Sequence, residues 1–403
     1  MPDGSALQGV RVVELVEGLA GAYCGKLLAG LGADVLKVEP PSGDSLRRAG
    51  PFPEDHPNPE ASGLFLHLNP AKRSVTLAIE TETGRRLLGR LLDTADVLVH
   101  DLAPGRARAI GLDDASLRNE RPSLVAAAVT FFGSTGPYAD FAGTEIVAQA
   151  LSGYMSLTGD PDREPLKPYG YLAEYQAGLH AAVAVMAAVL ARDATDEGDL
   201  ADVSVTEAAC FALGGPPQLA WWFDRTLKRN GTRLIGVGGR HPYPSTLRPC
   251  ADGWVHAHSN NRNPELLAAL VGDQWLASPE VLDAMTDRAD EIDAVVDRWL
   301  ADKTKWQAVA AAQEMRLPFT EVLTPAELLE DREGHLRSRG ELVEVEHPVA
   351  GTVTQLGPPV HLGAGAWVSD RAPLLGEHTA DVLCGTLGLT HDDLLRLRQA
   401  GVV

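Results

Sequence analysis

The sequence predicts an α/β protein built on an open parallel sheet, and three observations carry that expectation. The first forty residues read strand, glycine-rich turn, helix and strand: Val10-Arg-Val-Val-Glu-Leu-Val, then Glu17-Gly-Leu-Ala-Gly-Ala-Tyr-Cys-Gly, then a helical stretch from Lys26, then Val35-Leu-Lys-Val-Glu-Pro-Pro. Short β-branched runs on either side of a helix make a βαβ unit, whose strands must be parallel. The same alternation of strand and helix continues to about residue 130, which implies helices on both faces of the sheet. The chain has 403 residues, beyond the size at which one hydrophobic core normally stops growing, so two domains are expected.

Within the first part, strands are expected over Val10–Val16, Val35–Val38, Ser74–Ile79, Asp96–Val99 and Leu124–Val129. The stretch Glu82–Leu92 sets Leu87, Leu88, Leu91 and Leu92 on one side of a helix, while Pro51–Pro59 reads as a surface loop. An Ala-rich helix follows over Tyr175–Arg192, with Leu179, Val183, Met186 and Leu190 spaced for a core-facing stripe. Around 212–253 the breakers Gly214-Gly-Pro-Pro, Gly236-Val-Gly-Gly and Pro242-Tyr-Pro mark a crossing into a second domain. There the pattern reads as a strand at Trp254–His258 and helices at Glu291–Leu300 and Thr304–Glu314, with a last helix at Asp392–Gln399 near the C-terminus. The expected division is 1–212 for a Rossmann-like large domain, 213–320 for a smaller α+β domain, and 321–403 for a C-terminal segment.

Composition excludes several function classes. A net charge of −20 counts against nucleic acid or anionic lipid as partners, because both demand a basic surface. Apolar residues make up 45%, close to the globular norm, and no run is read as spanning a bilayer. The N-terminus lacks a signal-peptide pattern, and the four cysteines lie far apart with no C-x-x-C pair. A cytoplasmic protein with reduced thiols and no metal knuckle is expected. Gly18 and Gly21 sit where the first strand turns into a helix, a place where bare backbone can approach a phosphate. The spacing is not the dinucleotide fingerprint G-x-G-x-x-G.

The wording of these segments resembles the class III CoA-transferases, the family of formyl-CoA transferase, carnitine CoA-transferase and α-methylacyl-CoA racemase. Asn69-Pro-Ala-Lys-Arg-Ser-Val resembles its N-x-x-K-R-S-V step, and Ala95-Asp-Val-Leu-Val-His-Asp-Leu-Ala-Pro-Gly its A-D-V-L-V-E-N-F-x-P-G turn. Gly133-Ser-Thr-Gly-Pro-Tyr, Gln149-Ala-Leu-Ser-Gly, Thr158-Gly, Pro373-Leu-Leu-Gly-Glu-His-Thr and Leu387-Gly-Leu follow in the family's order.

The resemblance implies that CoA passes from an acyl-CoA to a carboxylic acid through an enzyme carboxylate, with CoA as substrate and no tightly bound cofactor or metal. It also implies an interlocked, ring-like homodimer in which the C-terminal segment returns to the large domain, or a heteromer with a homologue. At the position of the family's nucleophilic aspartate this chain carries Glu174, just ahead of the expected long helix. Glu145 matches a position of family Asp or Glu, and Thr144 replaces the histidine that the racemase branch needs as a second base. Gly238 and Gly239 belong to a stretch resembling the family's glycine-rich lid, and His241 stands beside it as a candidate acid or base.

The implied CoA contacts are Gly18, Ala20, Lys37, Ala71, Lys72, Arg73, Asp101 and Arg108, with Lys72-Arg73 and Arg106/Arg108 as candidate cations for the phosphates. Two departures bear on CoA: Ala109 stands where the family usually has Arg after the P-G turn, and Leu19 where some members have Gln. The competing expectations are a non-catalytic CoA-binding subunit of a heteromeric transferase and an acyl-CoA isomerase. Trp221-Trp222 is assigned to core or interface rather than to an acyl pocket.

Overall fold

The computed structural model describes residues 4–234, 243–259, 264–363, 365 and 367–403. The chain forms two compact units, one from Met1–Tyr154, Pro168–Pro217 and Gly334–Val403, the other from Met155–Lys167 and Gln218–Glu333. The short excursion Met155–Lys167 into the second unit has no counterpart in any composition shift.

The first unit opens with β1 (Arg11–Leu15), α1 (Leu19–Gly30), β2 (Asp34–Glu39), α2 (Gly63–Leu68), β3 (Arg73–Thr76), α3 (Glu82–Leu92), β4 (Val97–His100), α4 (Pro104–Ala109) and α5 (Asp114–Glu120). It continues with β5 (Val125–Thr130), α6 (Glu145–Leu151), α7 (Leu172–Thr195), β6 (Leu200–Ser204) and α8 (Val205–Ala212). The six strands pair in the order β3-β2-β1-β4-β5-β6, all parallel. A sheet covered on both faces needs apolar side chains on both, and the strands comply. Val12, Val97 and Val99 enter one core with α1, α2 and α7, while Val13 and Leu98 enter a second core with α3 and α5.

Helix α3 is the amphipathic helix the sequence predicts. Its four leucines are buried, and the Thr81 side chain accepts from the Gly84 amide at its start. Helix α7 corrects the expected core stripe. Its buried residues are Ala173, Glu174, Ala177, Gly178, Ala181, Ala182 and Val185. The larger Leu179, Val183 and Leu190 are 45%, 55% and 74% exposed. The reason is close helix–helix approach: a Cβ built on Gly178 would lie 2.5 Å from the Ala20 carbonyl of α1. Small residues permit that contact and large ones do not, so the bulky stripe is turned away. Helix α7 is also long and apolar enough to cross a bilayer by length and composition. In this fold its small-residue face packs in the core with α1, β5 and α8.

The main stretch of the second unit begins within α9 (Pro216–Phe223). It holds an antiparallel sheet of β7 (Ser245–Cys250), β8 (Gly253–His258) and β9 (Thr320–Glu321). Between β8 and β9 run α10 (Pro264–Val271), α11 (Pro279–Leu282), α12 (Ala289–Leu300) and α13 (Lys305–Glu314), with α14 (Pro325–Glu330) after β9. Val255, Leu267, Ile292, Val296, Leu300 and Phe319 share its core. Trp221 and Trp222 are 78% and 65% exposed, so the core half of their expected assignment does not hold.

From Gly334 the chain belongs again to the first unit, as α15 (His335–Ser338), the antiparallel pair β10 (Leu342–His347) and β11 (Gly351–Leu356), and α16 (His391–Gln399). Val382, Leu383, Leu394 and Val402 complete the second core. The Pro373-to-Thr379 motif ties this return to the sheet: the Gly376 amide donates to Ser74 Oγ at 2.9 Å and the Thr76 amide to Thr379 Oγ1 at 3.1 Å.

Candidate active site at the carboxyl edge of the parallel sheet

The strand order reverses direction between β1 and β4, and in a doubly wound sheet the crevice outside the carboxyl ends of such a pair is where ligands bind. Here the loops leaving those two strands are clasped together. Asp101, just after β4, accepts from the Glu17 amide at 3.0 Å and the Gly18 amide at 2.6 Å, just after β1. A Cβ on Gly18 would stand 2.8 Å from the same Asp101 oxygen, so any side chain there would displace the clasp.

Two cavities flank this clasp, and Asp101 and Ala103 line both. The larger, about 310 Å³, lies over the ends of β1, β2 and β3, walled by Leu15, Val16, Val38, Pro40, Leu77 and Ile79, with Glu80 and Arg106 on its lining. The Arg106 guanidinium pairs with the Glu80 carboxylate. The smaller, about 160 Å³, is walled by Val129, Phe131, Phe132, Phe141 and Val205, with Gly18, Ala20 and Gly21 from the glycine turn and the Glu174 carboxylate.

Glu174 is placed by a chain of carboxylates on helix N-termini. Glu145, the first residue of α6, accepts from the Ala173 and Glu174 amides at 3.0 Å each and so caps the first turn of α7. The Gln149 side chain donates to the same carboxylate one turn along α6. With its own amide so anchored, Glu174 aims its carboxylate at the start of α1. Burial raises the Glu174 pKa from 4.5 to about 7, the charge of Glu145 adds to the rise, and the backbone amides of Ala20 and Leu19 oppose it. Burial likewise raises Asp101 from 3.8 to about 6, against the Gly18 and Glu17 amides and Lys37. The result is a carboxylate that is basic for its type, faces backbone amides and fronts an apolar cavity. Such a group can act as nucleophile or general base near neutral pH.

Of the residues expected from the sequence, Glu174, Gly18, Ala20 and Asp101 meet at the smaller cavity, and Glu145 stands behind Glu174 rather than in it. In the glycine turn, the Glu17 and Gly18 amides are taken up by the chain's own Asp101 carboxylate.

Of the expected contacts, Lys37 and Lys72 have side chains wholly buried in ion pairs. Lys37 Nζ lies 2.7 Å from Asp44 and 3.1 Å from Glu14 and donates to the Val16 carbonyl at 2.9 Å. Lys72 Nζ lies 2.7 Å from Glu14. Burial works against the Lys37 ammonium, but Asp44, Glu14 and Glu39 outweigh it and raise its pKa. Burial pushes Lys72 down to about 8 despite Glu14.

Arg73 makes a two-pronged pair with Asp34, at 2.8 and 2.7 Å, where β2 and β3 begin. In a parallel sheet that is the edge opposite the crevice. Ala71 sits beside it, its amide donating to the Arg371 carbonyl. Arg108 is exposed on α4 and lines neither cavity, whereas its neighbour Arg106 lines the larger one. Gly238, Gly239 and His241 lie outside the described residues. The reading of the sequence missed Leu77, Ile79 and Glu80 at the far end of β3, and Phe131, Phe132 and Phe141 after β5. The signal that could have found them is the rule that a parallel sheet binds at its carboxyl edge.

The model of CoA-transferase family III matches residues 7–379. The chain is 32% identical to formyl-CoA:oxalate CoA-transferase of Streptomyces avermitilis, over 99% of both chains. It is 31% identical to subunit BbsE of succinyl-CoA:(R)-benzylsuccinate CoA-transferase of Thauera aromatica, over 98% of both. A crystal structure of a CAIB/BAIF family protein from Brucella suis superposes with a TM-score of 0.84 at 29% identity, covering 95% of this chain and all of that one. This chain belongs to CoA-transferase family III.

Proposed function

We propose that Glu174 is the nucleophile through which this CoA-transferase moves CoA from an acyl-CoA to a carboxylic acid. The observation that carries the reading is the Glu174 carboxylate on the lining of an apolar cavity, facing the amides at the start of α1. A Glu174 oxygen attacks the thioester carbonyl carbon, the C–S bond breaks and CoA leaves as the thiolate, which gives a glutamyl–acyl anhydride. The thiolate then attacks the glutamyl carbonyl and the donor acid departs as its carboxylate, leaving a glutamyl-CoA thioester. The acceptor carboxylate attacks that thioester and frees the thiolate, and the thiolate takes the acceptor's acyl group and restores Glu174. No proton is gained or lost over the cycle. Splitting the exchange this way replaces one difficult step by easier ones.

The chain's own residues supply three things. Glu145 anchors the backbone of Glu174. The Leu19 and Ala20 amides offer donors for the oxygen that develops charge when the glutamyl carbonyl is attacked. The phenylalanine and valine walls exclude water from the anhydride. The larger cavity, with its apolar floor and Arg106 on its lining, suits the nucleotide end of CoA, leaving the thioester to reach Glu174 past Asp101 and Ala103. Glutamate in place of the family's aspartate carries the carboxylate one methylene further, toward the α1 amides.

The test is chemical trapping. The purified protein is incubated with acyl-CoA donors, treated with hydroxylamine or borohydride, and analysed by peptide mass spectrometry. A modified Glu174 is the expected result. CoA binding with no adduct for any donor would favour a non-catalytic subunit.

The exposed apolar stripe of Leu179, Val183 and Leu190 on α7, with Ile146 and Leu151 on α6 and Phe211 on α8, supports an assembly that covers it. We assign that cover to a second copy in the interlocked homodimer that the family resemblance implies. Native mass spectrometry checks it, with a homologue in its place as the alternative outcome. All four cysteines are unpaired, which supports a cytoplasmic site of action.

A further inference from the structure

We infer that the cavity in front of Glu174 selects uncharged, apolar acyl groups of about ring size, and that Asp101 together with its phenylalanine wall rejects acyl groups bearing a second carboxylate. The inference rests on the reading of that cavity as the place where the thioester meets Glu174.

Its walls are aromatic and aliphatic. Phe132 and Phe141 meet edge to face with centroids 6.3 Å apart, Tyr138 packs behind Phe141 with tilted rings at 4.9 Å, and Val129 and Val205 close the inner side. The polar side chains on the lining are Asp101, Glu174 and Thr130, two acidic groups and a neutral hydroxyl. Asp101 is held there by two backbone amides and by the missing side chain of Gly18, so it cannot swing out to make room for another anion. A second carboxylate on the acyl group, beyond the one that reacts, would lose its water in this space and meet the charge of Asp101, a repulsive element of the kind that specificity requires. An apolar acyl group loses no such solvation and gains contact with the phenylalanines. The volume of about 160 Å³ is close to that of cavities of roughly 150 Å³ known to take up benzene.

Isotope exchange tests this without knowledge of the natural acceptor. Benzoyl-CoA is incubated with labelled benzoate, and succinyl-CoA with labelled succinate. The affinity of the same full-length protein for benzoyl-CoA, succinyl-CoA and free CoA is measured alongside by calorimetry. Benzoyl-CoA is expected to exceed succinyl-CoA by about a hundredfold in exchange rate constant and to bind more tightly. The ratio is expected to shrink by about tenfold in Asp101→Asn. It should shrink too in Phe141→Arg, which puts a cation on the cavity wall at a position 61% exposed.

Equal or better binding and exchange with succinyl-CoA would overturn the selectivity while leaving the transferase reading intact. Tighter binding of benzoyl-CoA with no exchange of either acid would uphold the selectivity and remove Glu174 as nucleophile.

Discussion

Two sets of buried charge sit within a few residues of one another in the first unit, and they differ in what answers the carboxylates. Beneath the β1–α1 turn, Glu14 and Asp44 meet the ammonium groups of Lys37 and Lys72 at 2.7 to 3.1 Å, two negative charges against two positive ones with no solvent contact. At the carboxyl edge, Asp101, Glu145 and Glu174 meet backbone amides instead. An ammonium neutralises a carboxylate and takes it out of chemistry. An amide carries only a partial charge, so burial prevails and the Glu174 pKa climbs to about 7. The difference teaches where to look for reactivity in an acidic protein: among carboxylates that the fold buries without a cation.

The largest effect expected from breaking this contrast is loss of turnover. Glu174→Gln should lower kcat by roughly 10⁴-fold or more, since no other group supplies the covalent route. Steady-state transfer assays check it, and a loss under tenfold would remove Glu174 as nucleophile.

The ion-pair cluster should respond in the opposite currency. Glu14→Gln leaves Lys37 and Lys72 with too little negative charge in a dry interior and should cost about 3–5 kcal/mol of stability, read by urea denaturation. A smaller change is expected at the helix contact that positions the nucleophile. Gly178→Ala forces a methyl against the Ala20 carbonyl, and overpacking of this kind costs about 1–3 kcal/mol. Activity should fall with it through displacement of Glu174, whereas Ala177→Gly on the same face should leave the α1–α7 spacing unchanged.

The pH dependence sharpens the contrast further. The attacking form is the carboxylate, so kcat/KM should fall about tenfold per pH unit below the nucleophile's pKa, here near 7 rather than 4.5. The stability effect has the reverse sense. Folding raises the pKa of an acid, so the ionised folded state is penalised in full above about pH 7, and the penalty fades as pH falls toward 4.5. Glu174→Gln should therefore gain about 1–3 kcal/mol at pH 8 and almost nothing at pH 4.5. Denaturation at both pH values measures it, and an equal gain at both would argue against a raised pKa.

Legibility differed by element. The five N-terminal strands and α3 could be read closely because period, capping and turn residues are local properties. Helix α7 was found, but its buried face was not: spacing put Leu179, Val183 and Leu190 in the core, and the close approach of α1 reversed that choice. Glu174 was singled out through its place in a family motif, and the structure sets it in the first turn of α7, which begins at Leu172 rather than after it. The ion pairs of Lys37, Lys72 and Arg73 were not legible, because a basic residue in a motif looks the same whether it meets a phosphate or a carboxylate of its own chain. Glu14 and Asp34, which claim them, lie up to 58 residues away in the chain.

By itself the sequence determined the alternation of strand and helix, the placing of a glycine turn after β1, the acid at 174 and the family to which the chain belongs. Those follow from local periodicity, steric punctuation and motif order. Only the tertiary structure decided that the glycine turn holds Asp101, that the two lysines pair with Glu14 and Asp44, and that Leu77 and Ile79, just past β3, line the larger cavity while Arg73 pairs with Asp34. The physical reason is that strand order and burial set which charges meet, and neither is written in the spacing of residues along the chain.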